Sequence, residues 1–125
     1  MWLTSFVFSA TFIFHSANDT NLDIQLSSNS IYENASSGSV IGYFSLVPAL
    51  GPKDSVTYHI LKDNDGVLPP FEINGTILSV KNDKSLDYER LPSDKTIPIR
   101  VSGRVRKSAD IFEVSTKTFL IKILG

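Results

Sequence analysis

Two acidic side chains late in the sequence have a spacing that suits a hard cation. Asp87 and Glu89 stand two positions apart, and in extended backbone residues i and i+2 project to the same side of the chain. Two carboxylates on one side can hold Ca²⁺, which prefers oxygen ligands. The spacing by itself favours the plainer interpretation, in which both are solvated loop charges near Arg90 and Lys84.

The inventory of reactive residue types excludes most familiar active sites. The chain has no cysteine and only two histidines, which excludes thiol nucleophiles, cysteine-ligated zinc and histidine-rich metal sites. His59 lies near Asp54 and Ser55, but strand alternation places it opposite Tyr58 and Ile60, so we predict an exposed residue without a catalytic role. We find no Gly-rich phosphate loop or nucleophile elbow in the sequence. We therefore expect that the protein is not an enzyme.

A second acidic run, residues 62–65, also suggests a cation at first sight. Its sequence is Lys-Asp-Asn-Asp, and Gly66 follows it directly. Asn-Asp-Gly is typical of a tight turn. We therefore interpret this run as a turn without a metal ion.

Size and charge limit the domain count and the partners. The chain of 125 residues suits one domain, and its 42% hydrophobic and 20% charged content is that of a folded protein. Twelve Lys and Arg residues against thirteen Asp and Glu residues give a formal charge of −1. This balance does not favour binding to nucleic acid or to an acidic membrane surface.

The first 17 residues are typical of a signal peptide. They contain no Asp, Glu, Lys or Arg, and residues 2–14 are rich in apolar side chains. That stretch falls in the roughly 7–15-residue range of a signal sequence and short of the about 20 residues of a membrane-spanning helix. We predict that residues 1–17 are removed and that residues 18–125 form one secreted or cell-surface domain with no transmembrane segment. A first β-strand is the alternative for this segment.

Three Asn-X-Ser/Thr triplets agree with export. They begin at Asn18, Asn34 and Asn74, and none has proline in the middle position. Each is a candidate site for N-glycosylation. Such triplets are common by chance, so they support the prediction of a signal peptide but are not independent evidence for secretion.

From residue 22 onward the sequence predicts an all-β fold. Apolar and polar residues alternate, and Gly, Pro, Asn and Asp separate the alternating runs. We predict strands at residues 21–26, 30–32, 39–47, 55–61, 71–73, 76–81, 96–105 and 112–124. Their number and spacing suit two packed sheets, a β-sandwich.

Alternation also predicts the core. The side chains expected to face inward are Val56, Tyr58, Ile60, Ile97, Ile99, Val101, Phe119, Ile121 and Ile123. Arg100, Lys117 and Lys122 are expected to point toward water.

Two irregularities are predicted in the late strands. Phe112 and Val114 have the opposite phase to Phe119, which predicts a bulge near residues 115–118. Pro98 cannot donate to a strand ladder, so it should lie at a bulge, at a strand start or on an edge strand.

Several segments in this order resemble a cadherin repeat. They are Ile-Tyr-Glu-Asn-Ala at 31–35, Gly-Ser-Val-Ile at 38–41, Val-Thr-Tyr at 56–58, Phe-Glu-Ile at 71–73, Asn-Gly-Thr-Ile at 74–77 and Leu-Asp-Tyr-Glu at 86–89. The order and spacing hold from about Ile31 to Val101. The resemblance implies a seven-stranded Greek-key β-sandwich of the cadherin or immunoglobulin-like class.

The resemblance also implies a metal site. Cadherin repeats hold Ca²⁺ between successive repeats, so Glu33, Asp87 and Glu89 are expected to gather at one end as ligands. Pro-Ala-Leu at 48–50, and Gly103 or Val105, stand where other ligands of the family would be. Those ligands bind calcium shared with a preceding repeat, so their loss fits a first, N-terminal repeat.

The resemblance further implies adhesion or protein–protein recognition. The sequence ends at Gly125 without an acidic linker that would complete the site, and Ca²⁺ takes about 6–8 oxygen ligands. We therefore expect weak Ca²⁺ binding by this chain alone, and a fragment or soluble form of a longer protein. The expected partner is another cadherin-like or cell-surface protein, homophilic or heterophilic. The alternative is a carbohydrate-binding or purely structural module in which Tyr43 or Tyr88 stacks on sugars.

Overall fold

The computed structural model describes residues 22–62, 66, 68–81, 86–108 and 111–125, and it contains eight β-strands in these ranges. The strands are β1 (Asp23–Leu26), β2 (Ser30–Tyr32), β3 (Val40–Val47), β4 (Ser55–Leu61), β5 (Phe71–Asn74), β6 (Ile77–Val80), β7 (Thr96–Ser108) and β8 (Ile111–Leu124). A short 3₁₀ helix, Tyr88–Arg90, precedes β7. Within the same ranges, no helix is long and apolar enough to span a membrane.

The all-β prediction is confirmed, and the predicted strands agree with the observed ones to within three residues at each end. The predicted signal peptide, the acceptor Asn18 and the core of the predicted turn at residues 63–65 lie outside the described residues.

The strands form two four-stranded sheets. Sheet I has the order β1-β3-β6-β5, and sheet II has the order β2-β8-β7-β4. Every pair is antiparallel except β2 with β8, which run parallel. β1 and β2 follow each other in sequence but belong to different sheets, so the chain crosses between the sheets at residues 27–29.

The inner faces of the two sheets pack against each other through aromatic and aliphatic side chains. Phe44 of sheet I stacks on Tyr58 of sheet II with ring centroids 5.3 Å apart, and it meets Phe119 edge-on at 5.7 Å. The buried hydrophobic residues are Ile24, Ile41, Phe44, Leu46, Tyr58, Phe71, Leu78, Val80, Leu86, Ile99, Val101, Val105, Ile121 and Ile123. The predicted inward positions are therefore confirmed as fully or partly buried, and His59 is exposed as predicted.

The prediction that Lys117 points to water was wrong. Lys117 shares the phase of Phe119 on β8, so it emerges on the inner side of sheet II. Its Nζ donates to Asp23 Oδ1 at 2.9 Å and to the Ile24 carbonyl oxygen at 3.0 Å. An inward lysine is accepted here because it lies beside the short strand β1, where a carboxylate and a carbonyl satisfy its charge.

The predicted bulge at residues 115–118 was also wrong. The β7–β8 register runs without interruption from Thr96↔Lys122 to Arg106↔Phe112 and shifts only near the hairpin turn. A bulge would be required only if Phe112 and Val114 belonged to the core. They lie instead on the outer face of sheet II, 40% and 38% exposed.

Pro98 lies in β7 with an unbroken register opposite Leu120. The pairing of β4 with β7 ends at Leu61↔Arg100. On the side that faces β4, β7 is therefore unpaired at Pro98 and forms a sheet edge, which was one of the predicted settings. The missing N–H of Pro98 costs no hydrogen bond with β4 there.

Because Tyr58 is buried, the fold is expected to lose stability as the pH becomes alkaline. Tyr58 is only 5% exposed, and burial raises the pKa of its hydroxyl above the usual value because the phenolate would lose its hydration. Below about pH 10 the Tyr58 phenol is protonated in both the folded and the unfolded protein. Above about pH 10 the unfolded protein loses this proton first, which stabilises the unfolded state relative to the folded state. We therefore expect the free energy of unfolding to fall as the pH rises above about 10.

Denaturant unfolding of wild type and Tyr58→Phe across this pH range measures the effect. The Tyr58→Phe protein should lose less stability than wild type between neutral and alkaline pH. Equal losses would show that Tyr58 does not contribute to the alkaline slope.

Candidate metal site

Glu33 is held at the end of β2 by the parallel pairing with β8. Its backbone N–H donates to the Leu124 carbonyl oxygen at 2.8 Å, which extends the ladder by one residue. The chain then turns, with the Ala35 N–H donating to the Tyr32 carbonyl oxygen at 3.0 Å. Glu33 therefore projects from a fixed backbone, half-buried, at the end of the molecule where β2 and β8 finish. We call this end the Gly125 end.

The Leu-Asp-Tyr-Glu segment is fixed at the same end by its first residue. The Leu86 side chain is completely buried. Asp87 then caps the 3₁₀ helix, because its Oδ1 accepts a hydrogen bond from the Glu89 N–H at 3.1 Å. The apolar anchor and the cap together determine where the carboxylates of Asp87 and Glu89 emerge.

One hydrogen bond joins the two acidic segments. The Tyr88 N–H donates to Glu33 Oε2 at 2.9 Å, across a sequence separation of 55 residues. The bond is partly buried. Glu33 therefore lies against the backbone between Asp87 and Glu89, which brings the three predicted ligands to the same end of the fold.

Asp87 already has a cationic neighbour. Its Oδ2 lies 3.3 Å from Arg90 Nε in an ion pair whose arginine side chain is 86% exposed. An exposed pair of this kind contributes only about 0–1 kcal/mol. A divalent ion could displace the guanidinium at small cost.

The carboxylates do not form a complete cation site by themselves. In the part of the chain that the structure describes, no three Asp, Glu or His side chains lie close enough together to hold a metal ion. Asp87 and Glu89 are exposed and Glu33 is half-buried, so each can offer oxygen atoms. These residues fit one part of a Ca²⁺ coordination sphere, and the remaining oxygens of the about 6–8 required must come from elsewhere.

Lys95 is a neighbour of this site that sequence reasoning missed. It adopts a left-handed backbone conformation with φ of 55°. Its Nζ donates to the carbonyl oxygens of Tyr88 at 2.9 Å and Leu91 at 3.4 Å, and it lies 4.6 Å from the centre of the Tyr88 ring. The ammonium group ties the end of the 3₁₀ helix to the start of β7. No pattern in the sequence signals a lysine in this role.

The two tyrosines considered for sugar stacking differ in their surroundings. The Tyr88 ring lies between the Lys95 ammonium and Gly125, where an added Cβ would stand 3.2 Å from the ring. Tyr43 is 54% exposed on the outer face of sheet I. Only Tyr43 therefore presents much of its side chain to solvent.

A shallow cleft opens beside the site. Its volume is about 480 Å³, and its lining includes Tyr32, Asp94, Lys95 and Lys122. Asp94 is engaged internally, since its carboxylate accepts hydrogen bonds from the Thr96 N–H and hydroxyl. Lys95 is also engaged internally, through the carbonyl oxygens of Tyr88 and Leu91. The charged groups that line the cleft therefore do not favour either an anion or a cation.

Two of the three glycosylation candidates fall in the described residues. Asn34 is exposed in the turn after Glu33, and Asn74 is exposed at the end of β5. A glycan on Asn34 would stand next to the candidate metal site, whereas one on Asn74 would lie on sheet I.

Comparison with protein-family models and with curated proteins found no match to this sequence.

Proposed function

We propose that this chain is a calcium-dependent cell-adhesion or protein–protein recognition module, similar to the N-terminal repeat of a cadherin-type protein. The observation that carries the proposal is the hydrogen bond from the Tyr88 N–H to Glu33 Oε2. It joins the two segments whose resemblance to a cadherin repeat predicts shared calcium ligands. The partner in this proposal is another cadherin-like or cell-surface protein, and the domain acts outside the cell.

The strand order supports the finer fold proposal, a seven-stranded Greek-key β-sandwich. β1 and β2 can be counted as one strand that divides between the sheets, which reduces the eight strands to seven. Sheet I then has the order first, second, fifth and fourth strand, and β4, β7 and β8 supply the third, sixth and seventh. This is the order of an immunoglobulin-like sandwich.

In this proposal the chain's own residues prepare the end of the domain for an ion. Leu86 anchors the Asp87 cap, and the Tyr88 N–H orients the Glu33 carboxylate. Glu33, Asp87 and Glu89 would each offer carboxylate oxygens to the ion, which would also need ligands from outside this group because the three side chains do not form a metal-holding cluster by themselves. Bound Ca²⁺ would supply a rigid connection between this end and an adjoining segment or partner. Because the ligand set is partial, we expect this chain to bind Ca²⁺ as weakly as extracellular calcium modules do, with a Kd of about 10⁻⁴–10⁻³ M.

Thermal unfolding with Ca²⁺ and with a chelator tests the proposal. A ligand that binds only the folded state stabilises it by mass action, so about 10 mM Ca²⁺ should add about 1–3 kcal/mol at this affinity. Glu33→Gln should abolish the gain, because the amide oxygen still accepts from the Tyr88 N–H while the negative charge is lost.

Glu72→Gln is the matched control, since Glu72 is exposed on β5. β5 is the edge strand of sheet I on the side opposite β1, whereas Glu33 follows β2 at the edge of sheet II. It should keep the full response to Ca²⁺. A wild-type protein that melts identically in Ca²⁺ and chelator, or a Glu33→Gln protein that responds like wild type, would refute the proposed site.

A further inference from the structure

The outer face of sheet II carries a row of arginines. Arg100, Arg104 and Arg106 are exposed and share one phase of β7. With a rise of about 3.4 Å per residue, the row spans about 20 Å. We call these three residues the arginine strip.

The arginine strip has no internal counter-charge among the described residues, in contrast to Arg90, Lys107 and Lys117, although the exposed lysines Lys53, Lys62, Lys81 and Lys122 are also without an ion pair there. Lys117 pairs with Asp23, Arg90 with Asp87, and Lys107 with both Asp54 and Glu113. The strip makes two other contacts. Arg100 Nη2 donates to the Lys62 carbonyl oxygen at 3.0 Å, and the Arg104 guanidinium lies 3.9 Å from the centre of the Phe112 ring. Arg104 and Arg106 lie about 7 Å apart on the same side of β7, within the screening length of about 8–10 Å, so their like charges repel each other and an external anion would relieve the repulsion.

The described side chains that flank the arginine strip on the outer face of sheet II include no carboxylate. The residues paired across it are Ser55, Thr57, His59 and Leu61 of β4, and Phe112, Val114, Thr116 and Thr118 of β8. None of them is acidic, although the whole chain has a net charge of −1. The outer face of sheet I carries Glu72 and the glycosylation candidate Asn74. The arginine strip therefore lies on a face with neither carboxylates nor acceptor asparagines among its described residues.

The centre of the face is polar. Between Arg100 and Arg104 lies a cross-strand row of His59, Ser102 and Thr116. Protein–protein interfaces typically have an apolar core surrounded by a polar rim. The apolar side chains here instead lie toward the two ends of the face, with Phe112 partly covered by Arg104.

We propose that the arginine strip binds a linear sulfated polysaccharide. A flexible polyanion can follow a straight row of guanidinium groups, each of which forms charge-assisted hydrogen bonds with sulfate oxygens. Hydroxyl groups between the arginines match the sugar hydroxyls. The site is distinct from the calcium site and does not depend on it.

Binding of a labelled heparin oligosaccharide, measured by fluorescence anisotropy with chelator present, tests the proposal. Arg104→Thr/Arg106→Thr should weaken binding by about 100-fold, because each lost charge-assisted contact costs about tenfold or more. Threonine suits an exposed strand position, so the fold should survive. Wild-type affinity should also fall steeply with added salt.

The control Lys53→Thr/Lys81→Thr removes the same charge from exposed positions outside the strands of sheet II. It should leave the affinity within about twofold of wild type, because distant exposed charges are screened. Desulfated heparin and poly-glutamate provide the other two comparisons, and both should bind much more weakly than heparin. The proposal fails if wild type does not bind heparin at physiological salt or if both double variants lose affinity equally. It also fails if desulfated heparin binds equally well, and equal binding of poly-glutamate would assign the strip to acidic polypeptides.

Discussion

Replacing Phe44 by alanine is expected to lower the free energy of unfolding by about 3–5 kcal/mol. Phe44 is 3% exposed and belongs to sheet I, but its ring contacts Tyr58 and Phe119 of sheet II. Truncation would remove an aromatic contact between the sheets and leave a cavity that a rigid pair of sheets cannot fill by collapse. Equilibrium unfolding in denaturant measures the loss.

Tyr43→Ala is the matched control for this prediction. Tyr43 is the preceding residue of β3 but points to the opposite side, where it is 54% exposed. Its truncation should change stability by about 0.5 kcal/mol or less. Similar losses for the two variants would contradict the assignment of Phe44 to the centre of the core.

Gly42→Ala is expected to destabilise the protein by about 2–3 kcal/mol, and thus to lower Tm by about 10 °C or more. A Cβ at Gly42 would stand 2.5 Å from the Ser28 carbonyl oxygen and 2.9 Å from the Ser28 nitrogen. Both atoms are backbone atoms in the connection between β1 and β2. Gly42 also lies at the register shift between β3 and β6. The clash can be relieved only by moving the chain where it crosses from one sheet to the other.

Gly51→Ala separates this clash from a general effect of losing glycine. The nearest atom to a Cβ at Gly51 is Asp54 Oδ2 at 3.5 Å, an ordinary contact. Alanine there restricts the unfolded chain, so stability should stay the same or rise by up to about 1 kcal/mol. If Gly42→Ala were as stable as Gly51→Ala, the close approach of Ser28 to β3 would be wrong.

The strands were predictable because alternation and turn residues are local signals. β2 and β4 begin and end where the sequence predicts. The same reasoning failed for Lys117 and Phe112, since period two assigns a phase but not the direction of the core when a strand carries apolar residues in both phases. Partners from the distant strand β1 decide the orientation of Lys117, and Arg104 covers Phe112.

The candidate site was predictable only in part. Resemblance to a cadherin repeat predicts that Glu33 lies near Asp87 and Glu89, and the structure places Glu33 against the Tyr88 backbone. Arg90 lies beside Asp87, as the interpretation of solvated loop charges expected. The role of Lys95 was not foreseen, because it depends on the particular turn between the 3₁₀ helix and β7. The arginine strip could not be predicted from the sequence either, because the net charge of the chain does not show which basic residues lack acidic neighbours in the fold.

A Ca²⁺ titration followed by the backbone amide signals in NMR tests the proposed calcium site most directly. We expect shifts concentrated at Glu33 and at Asp87–Arg90, saturating with a Kd of about 10⁻⁴–10⁻³ M. The Tyr88 amide is the most informative signal, because its hydrogen-bond acceptor Glu33 Oε2 is one of the proposed ligands. Glu33→Gln should remove these shifts, and Glu72→Gln should leave them intact. No shifts up to about 10 mM Ca²⁺, or shifts centred elsewhere, would contradict a calcium site at the Gly125 end.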